Sequence, residues 1–374
     1  MHKRVLVVGA GFAGAVVARE LADHGDYQVD VIDIRAHIAG NCFDPRDPAS
    51  GLRIHRYGPH IFHTSDQGVV DYLSRFTEWL PYQHRVQAYV AGVGHVPVPI
   101  NRTTLNTLYG LNLADEAAVR AFLDTVRQPI AEHTSALDVA LNAFGAELTE
   151  LFFARYTRKM WGLGLEDLPA EVLRRLPIRY DDSDGYFADR FQAMPAEGYE
   201  GLFQRLLDHE AIRVHLGTAD DPSRHGEYHH VFTSAPIDVF FDEIHGPLPY
   251  RSIQFETRSV PGHQQPVPTV NFTDDGPYTR ETDWRLYPGC AGHNDSAVVL
   301  TRERPCSYQD NNFERFYPVK TVDGAPQQRY AQYQALASQR NDISFIGRCG
   351  QYRYYDMHQV VANSRMIAQR FLAS

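Results

Sequence analysis

A βαβ opening with glycines at G-x-G-x-x-G spacing, a late strand–glycine–helix return, and a helical then strand-rich interior predict an α/β protein. The expected architecture is a discontinuous Rossmann-like domain carrying a small helical domain and a mainly antiparallel β-sheet domain. Arg4–Val8 (RVLVV) is a short, β-branched apolar run suited to a strand buried on both faces. Gly9, Gly11 and Gly14 follow, then a helical stretch with apolar Val16, Val17 and Leu21. A second strand, Tyr27 to Ile32, ends at Asp33, nineteen residues past Gly14. From about 103 to 160 apolar residues recur every three or four positions (Val119, Phe122, Leu123, Val126; Leu148, Leu151, Phe152), the period of a helix. Segments 251–257, 267–273 and 297–302 read as strands separated by turn residues. HVFTS (230–234) reads as a further buried strand of the first domain, and ISFIG (343–347) with a helix over about 356–372 closes it. This predicts a nucleotide domain from 1–80, 192–247 and 330–374, a helical domain at 101–165, and a sheet domain from 81–100, 166–191 and 248–329.

Composition narrows the function. The chain has 374 residues, 43% of them apolar and 22% charged, enough for two or three domains with a real core. A formal net charge of −10 argues against nucleic acid as a general partner, because a duplex binder needs a basic face. The four cysteines (Cys42, Cys290, Cys306, Cys349) lack close paired spacing, so reduced thiols and no metal site are expected. Without a signal peptide or a run of about 18 apolar residues, the expectation is a cytoplasmic protein with no membrane insertion.

The glycine motif carries the first chemistry. Its glycines let the backbone turn tightly against a pyrophosphate, whose charge sits at the helix N-terminus, with Phe12 and Ala13 inside the turn. Asp33 can accept hydrogen bonds from ribose hydroxyls. Beyond it, Arg35–Asn41 (RAHIAGN) resembles the R-x-x-x-G-G-N extension of large FAD proteins, which favours FAD over NAD. Ala39 replaces the first of the paired glycines; a negative φ is expected to preserve the turn.

The segment YGPHIFHT (57–64) makes the resemblance specific: similar segments occur in the UDP-galactopyranose mutases, beside the flavin ring. The resemblance implies His63 near the isoalloxazine, with His60 and Ile61 adjacent. Phe152, Tyr156, Thr157 and Trp161 in LFFARYTRKMWG are similar to the family's uridine and sugar-side segment. Arg175 in RRLPIRY, Arg280 in PYTR and Arg348 in FIGR match three arginines set around the substrate phosphates and the flavin; a guanidinium fork suits diphosphate oxygens. Tyr186 in GYFADRFQ, Tyr317 in FYPV and Tyr354 in YRYYDMHQV complete the match, with Asp356 and Met357 opening the last helix toward the cofactor. Asn101 and Asn271 are further candidate substrate contacts.

The resemblance implies an isomerase that interconverts UDP-galactopyranose and UDP-galactofuranose through a flavin N5–sugar adduct on reduced FAD, with ring opening and reclosure. His63, Arg175 and Arg280 would be its catalytic residues, and a segment near Arg175 its lid. The implied partners are a nucleoside-diphosphate sugar, an external electron donor for the flavin and, by analogy with bacterial members, a second copy of the chain. Lys320, Arg304 and Gln351 depart from the family pattern near elements expected to shape the sugar and cofactor pocket, and the Asn271–Arg280 segment is one residue shorter. Another nucleotide sugar, dTDP-linked, deoxy or N-acetylated, is therefore an alternative. A flavin oxidoreductase of the same fold, or a non-catalytic nucleotide-sugar sensor, would not account for the arginines and tyrosine-rich words together.

Overall fold

A computed structural model describes residues 2–174, 178–262, 265–289 and 298–374. The β-branched run Lys3–Val8 forms the central strand of a five-stranded parallel sheet, in the order 343–345, 230–233, 3–8, 27–33, 212–216. Strands covered on both faces need apolar side chains on both, and Val5 and Val7 are wholly buried on one face while Leu6 and Val8 are buried on the other. The helix Phe12–His24 packs on this sheet through Val16, Val17, Ala18 and Leu21, beside the final helix Met357–Leu372. Chain order places the second strand on one side of the first and the 230–233 strand on the other. The carboxyl end of Lys3–Val8 is thus a topological switch point, where open α/β sheets bind ligands.

Three remote segments complete this half. A three-stranded antiparallel sheet joins 62–64, 191–195 and 79–81. Asp44, with no exposed surface, accepts hydrogen bonds from the amides of Tyr199 (2.8 Å) and Glu200 (2.9 Å), so a carboxylate holds the start of the helix Gly198–Leu207.

The second half is a seven-stranded sheet in the order 317–318, 250–260, 298–307, 280–283, 269–272, 86–90, 94–98. It is antiparallel except where 269–272 runs parallel to 86–90. Helices Arg102–Tyr109, Glu116–Val126 and Ala136–Thr149 cover its 86–98 edge, with Leu105, Val119, Leu123, Phe144 and Leu148 packed on Ala88, Val90 and Val96. Trp284, wholly buried, donates its indole N–H to Thr301 Oγ1 (2.8 Å) and stacks on His55 (5.1 Å), tying this sheet to the loop that follows the nucleotide-binding strands. Among the described residues no helix is long and apolar enough to cross a membrane.

Candidate active site

The glycine turn is a backbone cradle. Gly9 has φ +105°, and a Cβ there would lie 2.0 Å from Ser234 Oγ; a Cβ on Gly14 would lie 1.9 Å from the Gly9 carbonyl oxygen. Neither position has room for a side chain, so the helix start approaches the strand end closely. Gly11, the N-cap, offers no side chain to the first amides of the helix, which leaves them for an anion. Phe12 turns its ring inward onto Phe203 (4.6 Å), and Ala13 is buried against Gly347, so each offers only its backbone to the turn. Asp33 sits at the strand end with Oδ2 accepting from the Ala10 amide and Oδ1 from the Arg35 amide, both at 2.8 Å. Two backbone donors fix the carboxylate at the strand end.

The extension departs from expectation at one residue. Ala39 adopts φ +73°, not a negative value, so an alanine occupies the left-handed region that favours glycine. It is buried, and its N–H donates to the Ala10 carbonyl (3.0 Å), which holds the turn against the first strand despite the strain. Arg35 stacks over Tyr57 (4.3 Å) and donates to Asn41 Oδ1 (2.9 Å) and to Glu314. Asp356 opens the last helix with its N–H on Gln359 Oε1 (3.0 Å), and Met357 Sδ lies 3.5 Å from Cys42 Sγ. Ile61 is buried in the same core. Gln351 follows Gly347–Gly350, packed on Ala13, and its buried Oε1 has no partner among the described residues. Free amides, a fixed carboxylate and an orphaned buried oxygen fit a bound dinucleotide.

Facing this cradle is a cluster of side chains. Tyr156, Trp161 and Tyr317 pack around Met160, Ile253 and Phe316, with Trp161 edge-on to Tyr317 (6.3 Å). Tyr317 stacks on Tyr354 (5.5 Å), and Arg348 lies over both rings at 5.3 and 4.9 Å while donating to the carbonyls of Phe316 and Tyr355. Arg348 thus clamps two loops together from beneath the tyrosines. The helix carrying Tyr156 and Thr157 is entered through a five-residue π-turn, Glu150–Ala154, a distortion that often marks functional segments. Within it Phe152 is buried in the helical core and Phe153 packs on Phe144 (4.8 Å). Thr157 is also buried, and Lys159 fastens the helix to the 272–278 loop by donating to the carbonyls of Phe272 (2.9 Å) and Tyr278 (2.8 Å). Asn271 lies half-buried on the strand beside that loop.

Arg280 is the charge at the centre. Its Nε donates to Glu303 Oε2 (2.8 Å), a carboxylate with 1% exposure whose Oε1 has no partner among the described residues. Burial opposes a charge on Arg280, but the Glu303 carboxylate holds the guanidinium firmly protonated, with Tyr156, Tyr317 and Tyr186 nearby. Burial pushes the Glu303 carboxyl up, and the Arg280 charge limits the rise. On the other side, burial and then the nearby Arg280 and His63 push His84 down to about 3, while burial and the Arg348 and Arg280 charges bring His60 to about 4. The pocket therefore holds its cations as arginines and keeps these two imidazoles neutral. His63 stacks face-on upon Phe187 (3.7 Å), next to Tyr186, and its Nδ1 lies 2.7 Å from Asp189 Oδ2.

Several expected residues fall elsewhere. Arg175 lies outside the described residues. Asn101, expected as a substrate contact, has no exposed surface: Oδ1 accepts the Thr104 amide as the cap of the helix Arg102–Tyr109, and Nδ2 donates to the Ser183 carbonyl. It is a structural residue. Of the departures from the family pattern, Arg304 points to solvent because strand alternation turns Glu303 inward, and Lys320 pairs with Glu171 (2.9 Å). Only Gln351 borders the cradle. Sequence reasoning missed Glu303, His84, Asp189 and Lys159; the first three are buried or half-buried polar residues beside the predicted ones, two of them within or next to words already singled out.

Comparison with known proteins decides between a flavin oxidoreductase fold and a mutase. A family model described as UDP-galactopyranose mutase matches residues 151–354, more than half the chain. The chain belongs to the UDP-galactopyranose mutase family. A model of the NAD(P)-binding Rossmann-like domain matches residues 7–76. A protein of Klebsiella pneumoniae described as a probable UDP-galactopyranose mutase is 37% identical over 374 residues, covering 100% of this chain and 96% of that protein. A dTDP-fucopyranose mutase of Escherichia coli is 35% identical over 377 residues, covering 99% and 98%. The crystal structure of a reduced UDP-galactopyranose mutase superposes with a TM-score of 0.77 at 17% identity, over 100% of this chain and 94% of that one. As a member of this family the protein is an isomerase, with a dinucleotide-binding domain for a flavin and a nucleotide sugar as substrate.

Proposed function

We propose that the protein interconverts UDP-galactopyranose and UDP-galactofuranose with reduced FAD as its cofactor. The observation that carries the reading is the position of Arg280, held charged by Glu303 among Tyr156, Tyr186 and Tyr317, opposite a backbone cradle fit for a dinucleotide. Gly9–Gly14 would hold the pyrophosphate of FAD, Asp33 its ribose, and His60, Ile61 and His63 its ring, with Arg35, Asn41, Arg348, Asp356 and Met357 completing the cofactor side. When bound and reduced, the flavin would supply nucleophilic chemistry toward the anomeric carbon of the sugar. The protein does the rest. Arg280, with Arg175, neutralises charge on the departing diphosphate, and a preset, water-poor arginine is worth most where that charge develops. Phe152, Tyr156, Thr157, Trp161 and Asn271 bind the nucleoside, the first two rings excluding water. Tyr186, Tyr317 and Tyr354 border the sugar and phosphates, and confinement keeps the open sugar and the diphosphate within reach of each other. Net redox change is zero, so an external donor is needed only to charge the flavin. A cytoplasmic homodimer is the setting proposed.

A second reading keeps the chemistry and changes the sugar. The E. coli dTDP-fucopyranose mutase is nearly as similar as the Klebsiella protein, 35% against 37%, so dTDP-fucopyranose is the specific alternative. Initial rates of the dithionite-reduced protein on UDP-galactofuranose and dTDP-fucofuranose, resolved by chromatography, separate the two. At least about a tenfold preference in kcat/KM, some 1.4 kcal/mol, is expected for the UDP sugar. The reverse preference assigns the dTDP sugar, and turnover of neither sinks both.

A further inference from the structure

We infer that Asp189 is a positioning residue for the reaction, fixing His63 as the tautomer that carries its proton on Nδ1 and presents the Nε2 lone pair to the site. The inference rests on the proposed placement of His63 beside the cofactor and adds the group that sets its protonation geometry.

The contacts form a closed frame. His63 lies on the strand 62–64, paired with Gln192 on the strand 191–195. Its Nδ1 is 2.7 Å from Asp189 Oδ2, while Ser65 Oγ donates to Asp189 Oδ1 (3.0 Å). The Arg190 guanidinium donates to the Ser65 carbonyl (3.3 Å), and Gln192 Nε2 donates to the Asp189 carbonyl (2.9 Å). The loop that carries Asp189 is thereby stapled to both strands. Phe187 holds the imidazole face-on at 3.7 Å with the planes 13° apart, which fixes the plane of the ring, and a flip within that plane would lose the Asp189 hydrogen bond.

The charge state follows from the same contacts. Burial alone would raise the Asp189 carboxyl, but the bonds from His63 and Ser65 outweigh it and hold it below its ordinary value. An ionised carboxylate accepts and cannot donate, so Nδ1 must carry a proton. The other groups facing the ring are His358 on the final helix, edge-on at 5.6 Å, and His84 on the segment after the 79–81 strand; burial lowers both. Nε2 has no protein partner among the described residues and is the atom left to meet a ligand. A fixed orientation through an outer partner is how proteins set which imidazole nitrogen is the acceptor.

Asp189→Asn tests this. Ser65 keeps the amide oxygen, which turns the amide NH2 toward Nδ1 and forces the opposite tautomer. In FAD-loaded protein with 15N-labelled histidine, the His63 resonance is expected to move from an Nδ1–H to an Nε2–H pattern at pH 8. Turnover of reduced protein is expected to fall about 10- to 100-fold in kcat with KM within about twofold, and the acid limb of the kcat–pH profile to flatten. Asp189→Glu, which retains a carboxylate, restores the Nδ1–H pattern. An unchanged tautomer in the Asn variant, or a changed one with kcat and the acid limb as in wild type, overturns the inference. Wild-type protein that binds FAD but isomerises no nucleotide sugar contradicts the proposed function instead, and the NMR pattern then decides the Asp189 assignment on its own.

Discussion

On the parallel-sheet side of the proposed site, the groups assigned to a ligand are backbone amides at a turn where Gly9 and Gly14 leave no room for a Cβ. On the antiparallel side they are side chains gathered from residues 156, 186, 280, 317 and 354, with a half-buried arginine paired to a buried carboxylate at the centre. The backbone side depends on local conformation, so its parts lie within a few residues of each other. The side-chain side depends on strand pairing between segments up to about two hundred residues apart, and on charges that must be matched once buried. The two sides should therefore fail differently: one by losing cofactor and fold together, the other by losing catalysis with the fold intact.

The largest effect is expected from Gly14→Val. A side chain that begins 1.9 Å from the Gly9 carbonyl forces the helix off the strand, so the variant should purify without flavin or not fold at all. Absorbance at the flavin band and far-UV circular dichroism check this; a yellow, folded variant would break the distinction. Arg280→Ala should leave flavin content unchanged and lower kcat by about 100- to 1000-fold, the cost of losing a preset group at a developing anion. Arg280→Lys should recover little, since a lysine lacks the fork that serves Glu303 and phosphate together.

Acid stability separates the halves more gently. His230 in the parallel sheet is pushed by burial, then by His229, down to about 4, and His84 in the pocket down to about 3. A histidine depressed in the fold stabilises it fully above its unfolded value, near 6.5, and that contribution is lost as pH falls toward the folded value. Each loses up to about 1.4 kcal/mol per pH unit below that point. Asp44, raised by burial to about 6 against its two amide bonds and Arg53, has the opposite sign: it favours the fold increasingly as pH falls from about 6 toward 4. With His60, also depressed to about 4, the histidines outweigh the raised Asp44 and Glu303 carboxyls, so the midpoint of thermal unfolding should drop between pH 6.5 and 4.5. His84→Gln and His230→Gln should each make that dependence shallower, and only the former should alter turnover. The smallest effect is expected at Ala39: glycine relieves the φ of +73°, and Ala39→Gly should stabilise by up to about 1 kcal/mol in urea unfolding.

This contrast also explains what could be read from sequence. Strand Lys3–Val8, the glycine turn and Asp33 were legible because their spacing is itself the mechanism, and the late return of 343–372 was legible because a strand, a glycine and a helix reappear in order. The tyrosines and arginines became candidates only through resemblance, since nothing local distinguishes Arg280 from a surface arginine. Glu303 and His84 could not be found that way: each acquires its meaning from burial near Arg280, Glu303 through pairing of the 280–283 and 298–307 strands and His84 through the segment that leads into the 86–90 strand. Asn101 misled because a buried cap and a ligand contact look alike without the Ser183 carbonyl in place. Ala39 misled because buried contacts hold a conformation that its own preference opposes.

The most direct test of the account is nucleotide-sugar turnover by wild type and Arg280→Ala, each FAD-loaded and assayed both oxidised and dithionite-reduced, with flavin content measured in all four samples. The account predicts ring-form interconversion by reduced wild type alone, with equal flavin in the variant. Turnover by the oxidised protein, or an Arg280→Ala variant as active as wild type, would contradict it.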